Sequence, residues 1–262
     1  MKNLTRLSIL AVSITALSLG ATSASAGAPS GGLPTHAELT AALKAVVAAG
    51  TNGGFGLNMW ATIVDRDGEV AAVSFSGIDR GDQWPGSRVI SAQKANTANA
   101  FSLPHLALST ANLYSAVQPG GTLFGLQHSN PVDTDAAYKG PSANYGKPND
   151  PLVGKKIGGV NVFGGGLALY NSAGKLLGAI GVSGDTSCAD HIIAWKIRHA
   201  LNLDNVPAGV SATGDDNMVH DIAEDANGHS KSASGWGHPV CGTDEAAIVA
   251  ALPATHPVGP NP

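Results

Sequence analysis

The sequence predicts an α+β domain in which helices flank an antiparallel β-sheet. Two observations support this class: two predicted β-hairpins share one design, and helical patterns stand before, between and after them. The predicted organisation is a signal peptide at 1–26, a flexible Gly- and Pro-rich leader at 27–34, one domain at 35–201 and an extension at 202–262. A polar insertion at 128–156 interrupts the domain.

The elements follow in a regular order. Thr35 and Glu38 have the spacing of a capping box, and the apolar helix after them is predicted over residues 39–49. Strands at 57–64 and 69–74 flank the first turn, and strands at 167–170 and 176–182 flank the second, each turn ending in glycine. Helices are predicted at 87–101, at 188–201 and, shorter, at 244–252.

The first 26 residues are typical of a secretory signal. Lys2 and Arg6 precede an apolar run over residues 7–19, and an Ala-Ser-Ala sequence at 24–26 supplies the cleavage site. The run is shorter than the roughly 20 residues of a membrane span. We therefore expect a secreted or periplasmic protein without stable membrane insertion after cleavage; an uncleaved anchor is the alternative.

Charge and composition exclude some partners. The formal net charge is -4, and removing Lys2 and Arg6 with the signal lowers it by two, to -6, which argues against nucleic acid as a partner. Only 13% of residues are charged and 34 are glycine, which is typical of a compact, loop-rich domain rather than a disordered one.

The two cysteines and the two irregular segments raise separate expectations. In an oxidising compartment Cys188 and Cys241 are expected to pair, contributing about 4 kcal/mol and tying the extension back to the domain. Intermolecular bridges and free thiols are the alternatives. The length of the 128–156 insertion is typical of a lid, an oligomer contact or a disordered loop.

The helix at 87–101 carries the sharpest chemical signal. Ile90, Lys94, Thr97 and Phe101 share one face by their spacing. A lysine within an apolar stripe must reach a partner or a polar cavity, or extend its ammonium to the helix edge. Spacing alone favours the helix edge for the Lys94 ammonium. The alternative, on which the functional hypotheses below depend, is that Lys94 and Thr97 point into a cavity.

The last helix divides into two predicted faces. The buried stripe consists of Ile193, Ile197, Ala200 and Leu201. The other face consists of His191, Trp195, Arg198 and His199. We expect this second face to be solvated, although aromatic and arginine side chains also favour a ligand border or an oligomer interface.

Several segments together resemble the GlcG/HbpS-like haem-binding family. Residues 91–101 resemble its A-x-x-K-A-x-T-A-x-x-F helix, and residues 178–184 resemble its G-A-I-G-V-S-G signature. Residues 165–169 resemble its G-G-x-P strand, with Ala168 in place of proline, and residues 63–68 its V-V-D-x-x-G turn. Asp190 falls where the family has an acidic residue. The resemblance spans residues 39–200; the insertion and the cysteine-linked extension lie outside the minimal pattern.

The resemblance implies a profilin- or PAS-like layered sheet, frequent homo-oligomerisation, and a role in haem sequestration, iron handling or haem degradation. It implies haem as cofactor or ligand, in a pocket that includes Lys94, Thr97 and Phe101. The axial ligand varies within the family, so the resemblance does not supply it. The candidate haem-iron ligands in this chain are His105, which directly follows the 87–101 helix, or His191, on the last helix.

Two other function classes stay open. One is an enzyme that acts on a small organic substrate in the same pocket, with Lys94 as catalytic residue. The other is an accessory interaction module for an envelope sensor. Neither a G-x-S-x-G nor an H-E-x-x-H motif occurs, so the familiar hydrolase chemistries have no support.

Overall fold

The computed structural model describes residues 32–259 except 225 and 227. The predicted signal peptide and most of the predicted leader lie outside the described residues. The described helices are α1 His36–Ala48, α2 Ser87–Phe101, α3 Leu126–Ser129, α4 Thr134–Ala137, α5 Ser187–Ala200 and α6 Glu245–Thr255. The strands are β1 Trp60–Asp65, β2 Val70–Phe75, β3 Gly166–Tyr170, β4 Leu176–Ser183, β5 Ile222–Glu224 and β6 Ser230–Ser232.

Four strands form one antiparallel sheet in the order β2-β1-β4-β3. Both predicted hairpins are present, and they meet where β1 pairs with β4, with Ile63 opposite Ile180. The α+β class with an antiparallel sheet flanked by helices is confirmed.

Helices cover both faces of the sheet. α2 packs across β4, β1 and β3, whereas α1 and α5 pack together on the opposite face. α6 packs on the outside of α5. The predicted capping box starts α1: the Thr35 hydroxyl accepts from the Glu38 amide, and a Glu38 carboxylate oxygen accepts from the Thr35 amide at 2.8 Å.

Two glycines bring α2 close to the sheet. Gly166 of β3 and Gly181 of β4 are paired opposite one another. A Cβ atom at Gly181 would collide with the carbonyl oxygen of Ser91, and one at Gly166 with that of Lys94. The glycines of this hairpin therefore let a helix backbone lie directly on two strands.

The 128–156 insertion packs against the start of α2. Arg88 is buried and forms a bidentate ion pair with Asp150, which is also buried. The guanidinium also donates to the Ala137 carbonyl at 2.9 Å and lies 3.6 Å from the centre of the Tyr145 ring. The buried Arg88 guanidinium and its partners thus hold the insertion against α2.

The extension folds over α5. It contains the β5–β6 hairpin and α6, and the predicted disulfide Cys188–Cys241 joins it to the first turn of α5. The disulfide is confirmed. In the part of the chain that the structure describes, no helix has the length and apolar character needed to cross a membrane.

Candidate functional site

The Lys94 amine lies in a buried ion pair. The side chain is 2% exposed, and Nζ donates to Asp190 Oδ2 at 2.6 Å and to the Val182 carbonyl oxygen at 3.1 Å. Asp190 also accepts from the Asp185 amide at 3.0 Å. The pair joins α2, the end of β4 and the start of α5.

Asp190 is the titratable member of this pair. Burial raises its pKa to about 6, against the opposing effect of the Lys94 ammonium and of the hydrogen bonds that it accepts. A carboxyl with such a pKa can take up a proton near neutral pH. The geometry gives Lys94 a structural partner and no direct access to a substrate.

Thr97 is buried as well. Its hydroxyl donates to the Gln93 carbonyl at 2.8 Å and accepts from the Asn161 amide at 2.9 Å. Lys94 and Thr97 therefore face protein atoms rather than an open cavity, which corrects their predicted orientation. The reason is that α5 and the 157–165 segment come close enough to satisfy both groups. Their assignment to a ligand site stays a prediction.

Phe101 and His105 lie at the end of α2. Phe101 is half-buried and packs against an apolar cluster that includes Leu113, Val162 and Tyr114. His105 is exposed in the loop that follows. Of these two predicted site residues, Phe101 is the one that shares a cluster with Tyr114, which lines a cavity.

The expectation that the second face of α5 is solvated is wrong. His191, Trp195 and Arg198 are fully buried, because the extension covers them. Arg198 forms a bidentate pair with Asp216 at 2.7 and 2.8 Å. The Trp195 indole donates to the His256 carbonyl oxygen at 2.9 Å. Of the four residues of this face, His199 keeps an exposed part.

His191 belongs to a buried histidine cluster. Its Nε2 lies 3.3 Å from Asn217 Oδ1, and burial, followed by the charge of Arg198, lowers its pKa to about 3. His238 is also buried, and burial lowers its pKa to about 4. Within the described residues, His191 Nδ1 and His220 Nε2 have no hydrogen-bond partner. The lowered pKa values keep the His191 and His238 rings neutral at pH 7.

A cavity of about 720 Å³ lies on the outer side of this cluster. One wall is formed by residues between 114 and 122 and the other by residues between 222 and 239 of the extension. The Ser115 hydroxyl donates to the Gly237 carbonyl oxygen at 2.6 Å, which ties the two walls together. The cavity is therefore built jointly by the domain and the extension.

The cavity walls combine apolar surface with a few polar groups. Tyr114 lines the cavity, with its ring 5.2 Å from that of His238 and 6.5 Å from that of Phe163. His229 and Lys231 line the opposite wall. A phenol, an imidazole and an ammonium around an apolar space can bind a flat anionic guest, and the first two can ligate iron.

Sequence reasoning missed the polar groups of this cavity. Tyr114 lies between two short 3-10 helices without a recognisable period, and His229 and Lys231 lie in an extension with little periodicity. The signal that could have directed attention to them was the disulfide, since Cys241 had to bring the extension onto α5.

Comparison with known families identifies the domain. Residues 35–198 match the family described as haem degrading protein HbpS-like. The chain belongs to the HbpS-like family. The cavity wall at 114–122 lies inside the matched residues, whereas the wall at 222–239 lies beyond them.

Solved structures with similarity to this HbpS-like chain include three of related description. A PduOC haem complex is 25% identical, covering 66% of this chain and 96% of that one, with a TM-score of 0.45. Klebsiella pneumoniae protein ORFY is 24% identical, over 64% and 90%, with a TM-score of 0.43. A Streptomyces reticuli HbpS double mutant is 18% identical, over 73% and 96%, with a TM-score of 0.41. No curated protein matches the chain.

Proposed function

We propose that the protein is an exported haem-binding protein and that haem, or a related tetrapyrrole, binds in the cavity between residues 114–122 and the extension. Membership of a haem-related family supports the ligand class. The observation that carries the choice of site is the cavity itself, whose volume of about 720 Å³ falls within the roughly 300–1,000 Å³ of small-molecule sites.

The residues of the cavity fit the chemistry of haem. Ile222 and Pro239 supply apolar contacts for the macrocycle, and Lys231 supplies a cation for the propionates. Tyr114 and His229 are the iron donors, because phenolate and imidazole are both axial ligands of haem proteins.

The other predicted site residues take indirect roles in this proposal. Lys94 holds the start of α5 through Asp190, and Phe101 supports the cluster to which Tyr114 belongs. His105 and His191 compete with Tyr114 and His229 as predicted iron ligands, and mutagenesis separates the four.

A hemin titration tests the proposal. Apoprotein is mixed with increasing hemin and the visible spectrum is recorded. We expect a shifted Soret band that saturates at one hemin per chain. An unshifted spectrum at stoichiometric hemin would contradict haem binding by this chain.

Four variants locate the iron ligand. Tyr114→Phe and His229→Ala should each change the Soret position or weaken hemin binding at least about tenfold, which is the loss of one good interaction. His105→Ala is the matched control, since His105 is an exposed histidine outside the lining of the cavity. If His105→Ala or His191→Gln changes the spectrum while the first two variants do not, the cavity is not the site.

The fate of bound haem and the assembly of the chain need their own measurements. Degradation predicts loss of the Soret band when an electron donor and oxygen are added, whereas sequestration predicts a persistent band. A secreted or periplasmic location is supported by the disulfide, which is typical of oxidising compartments. Cell fractionation tests the location, and sedimentation of the purified protein tests the proposed homo-oligomer.

A further inference from the structure

Three helices end at one small pocket, at the opposite end of α5 from the disulfide. The pocket has a volume of about 290 Å³ and is lined by Val46 and Ala49 at the end of α1, by His199 and Ala200 at the end of α5, and by His256 at the end of α6. Helix C-termini carry partial negative charge, so their convergence favours a cation.

Two imidazoles in this pocket lie against each other, edge to face. The ring centres of His199 and His256 are 5.2 Å apart, with the ring planes at 83°. Two imidazoles that ligate one ion in adjacent positions, at metal–N distances of ~2 Å, have ring centres roughly 4.5 Å apart at the right angle of a tetragonal ion and about 5 Å apart at the angle of a tetrahedral one. The observed separation fits a shared ion.

Hydrogen bonds fix one nitrogen of each ring. His199 Nδ1 lies 2.7 Å from a carboxylate oxygen of Asp204, and His256 Nδ1 lies 3.0 Å from the Thr255 hydroxyl. Asp204 is itself buried. A carboxylate on the second nitrogen is the arrangement that orients metal-binding histidines and increases their basicity. In the described part of the chain, neither Nε2 atom makes a hydrogen bond.

The charges around the pocket oppose one another. Lys196 lines the pocket and disfavours a cation, but its amine is occupied by the Thr51 carbonyl oxygen at 2.6 Å and by Asn52 Oδ1 at 3.0 Å. Asp204 and the three helix ends act in the opposite sense.

We propose that His199 and His256 bind a divalent late first-row transition-metal ion, Cu²⁺ in preference to Zn²⁺ and Mn²⁺ last. Two imidazole nitrogens suit these ions, and affinities at such sites follow that order. In the described residues no group of three or more histidine, cysteine and acidic side chains could hold a metal. The protein therefore supplies two donors, and water completes the coordination.

Metal titration of the tag-free protein tests this site. Isothermal titration with Cu²⁺ and Zn²⁺ should show one site per chain, and the electron paramagnetic resonance spectrum with Cu²⁺ should show two coupled nitrogens. His199→Ala and His256→Ala should each lower the affinity at least about tenfold. Asp204→Asn should lower it about tenfold while keeping two coupled nitrogens, because it acts through His199.

The controls separate this site from other histidines and from haem binding. His105→Ala and His128→Ala remove exposed histidines outside the pocket and should leave the affinity unchanged. Should His199→Ala unfold the chain, His256→Ala, at a half-exposed helix end, carries the test. The proposal is overturned if the folded His256→Ala protein binds Cu²⁺ as tightly as wild type, or if the controls lose binding equally. The hemin spectrum of His256→Ala should match that of wild type, so the two proposals fail independently.

Discussion

Helices α2 and α5 both bury charged side chains, but they find their partners in different parts of the chain. Lys94 of α2 pairs with Asp190, which lies inside the residues that match the family. Arg198 of α5 pairs with Asp216, which lies in the extension. The family domain therefore supplies the carboxylate for the buried cation of α2. The buried cation of α5 obtains its carboxylate only from the extension.

The largest effect is expected from removing the partner of Arg198. Asp216→Ala would leave a fully buried guanidinium without its carboxylate, and should destabilise the chain by about 3–5 kcal/mol. Urea denaturation measures this loss. The double variant Arg198→Met/Asp216→Leu is the control, and should lie much closer to wild type because it removes both charges. A loss below about 1 kcal/mol in Asp216→Ala would contradict the dependence of α5 on the extension.

The disulfide sharpens the same comparison. Cys188→Ser/Cys241→Ser opens a link across 53 residues and should cost about 2–4 kcal/mol. Hydrogen exchange should rise at α5 and residues 215–245, while α2 and the sheet stay protected. Reduction of the wild-type protein is the control and should reproduce the pattern. Equal loosening of α2 would show that the two sides of the sheet are not independent.

Loss of the cation from the Lys94–Asp190 pair should destabilise the chain less than loss of the carboxylate from the Arg198–Asp216 pair. Lys94→Met leaves Asp190 buried, but this carboxyl can take up a proton because its pKa is already raised to about 6. We expect a loss of about 2 kcal/mol, smaller than that of Asp216→Ala. Denaturation at pH 5 and pH 8 measures it, and the loss should be smaller at pH 5. Lys94→Met/Asp190→Asn is the control and should show no such pH dependence.

The pH dependence of stability has two opposing parts. His191 and His238 have folded pKa values of about 3 and about 4, below the unfolded value of 6.5, so their contribution is lost as pH falls below 6.5. Asp190 has a folded pKa of about 6, above 3.8, so its contribution is lost as pH rises from 4 to 6. The two histidines outnumber the one carboxyl, and these groups together should make the chain less stable on acidification from pH 6 to pH 4.

The variant His191→Gln isolates the contribution of one histidine to this pH dependence. His191→Gln removes one proton-binding group of the unfolded chain and should reduce the slope of unfolding free energy against pH by about 1.4 kcal/mol per pH unit between pH 4 and pH 6. Urea denaturation at four pH values measures both slopes. His105→Gln, at an exposed site, should leave the slope unchanged. An unchanged slope in His191→Gln would mean that its ring is charged in the folded protein.

Some features of the site were accessible from local patterns and others were not. The spacing around Lys94 showed that a lysine in an apolar stripe needs a partner, and the structure provides Asp190. Spacing could not distinguish a carboxylate partner from a ligand cavity, because the partner lies 96 residues away. The prediction for the second face of α5 was wrong for a related reason. A polar helical face is predicted to be exposed when the segment that covers it shows no helical or strand periodicity in the sequence.

The sequence by itself determined the order of the helices and the two hairpins, the capped start of α1 and the pairing of the two cysteines. Each of these depends on short-range periodicity, on the residue types that turns require, or on the fact that the chain has two cysteines. Only the tertiary structure decided that the extension buries the second face of α5 and that residues 114–122 and 222–239 enclose a cavity. Those results depend on surfaces that meet across about a hundred residues of chain, and the contact energy of such surfaces has no signature in the local sequence of either one.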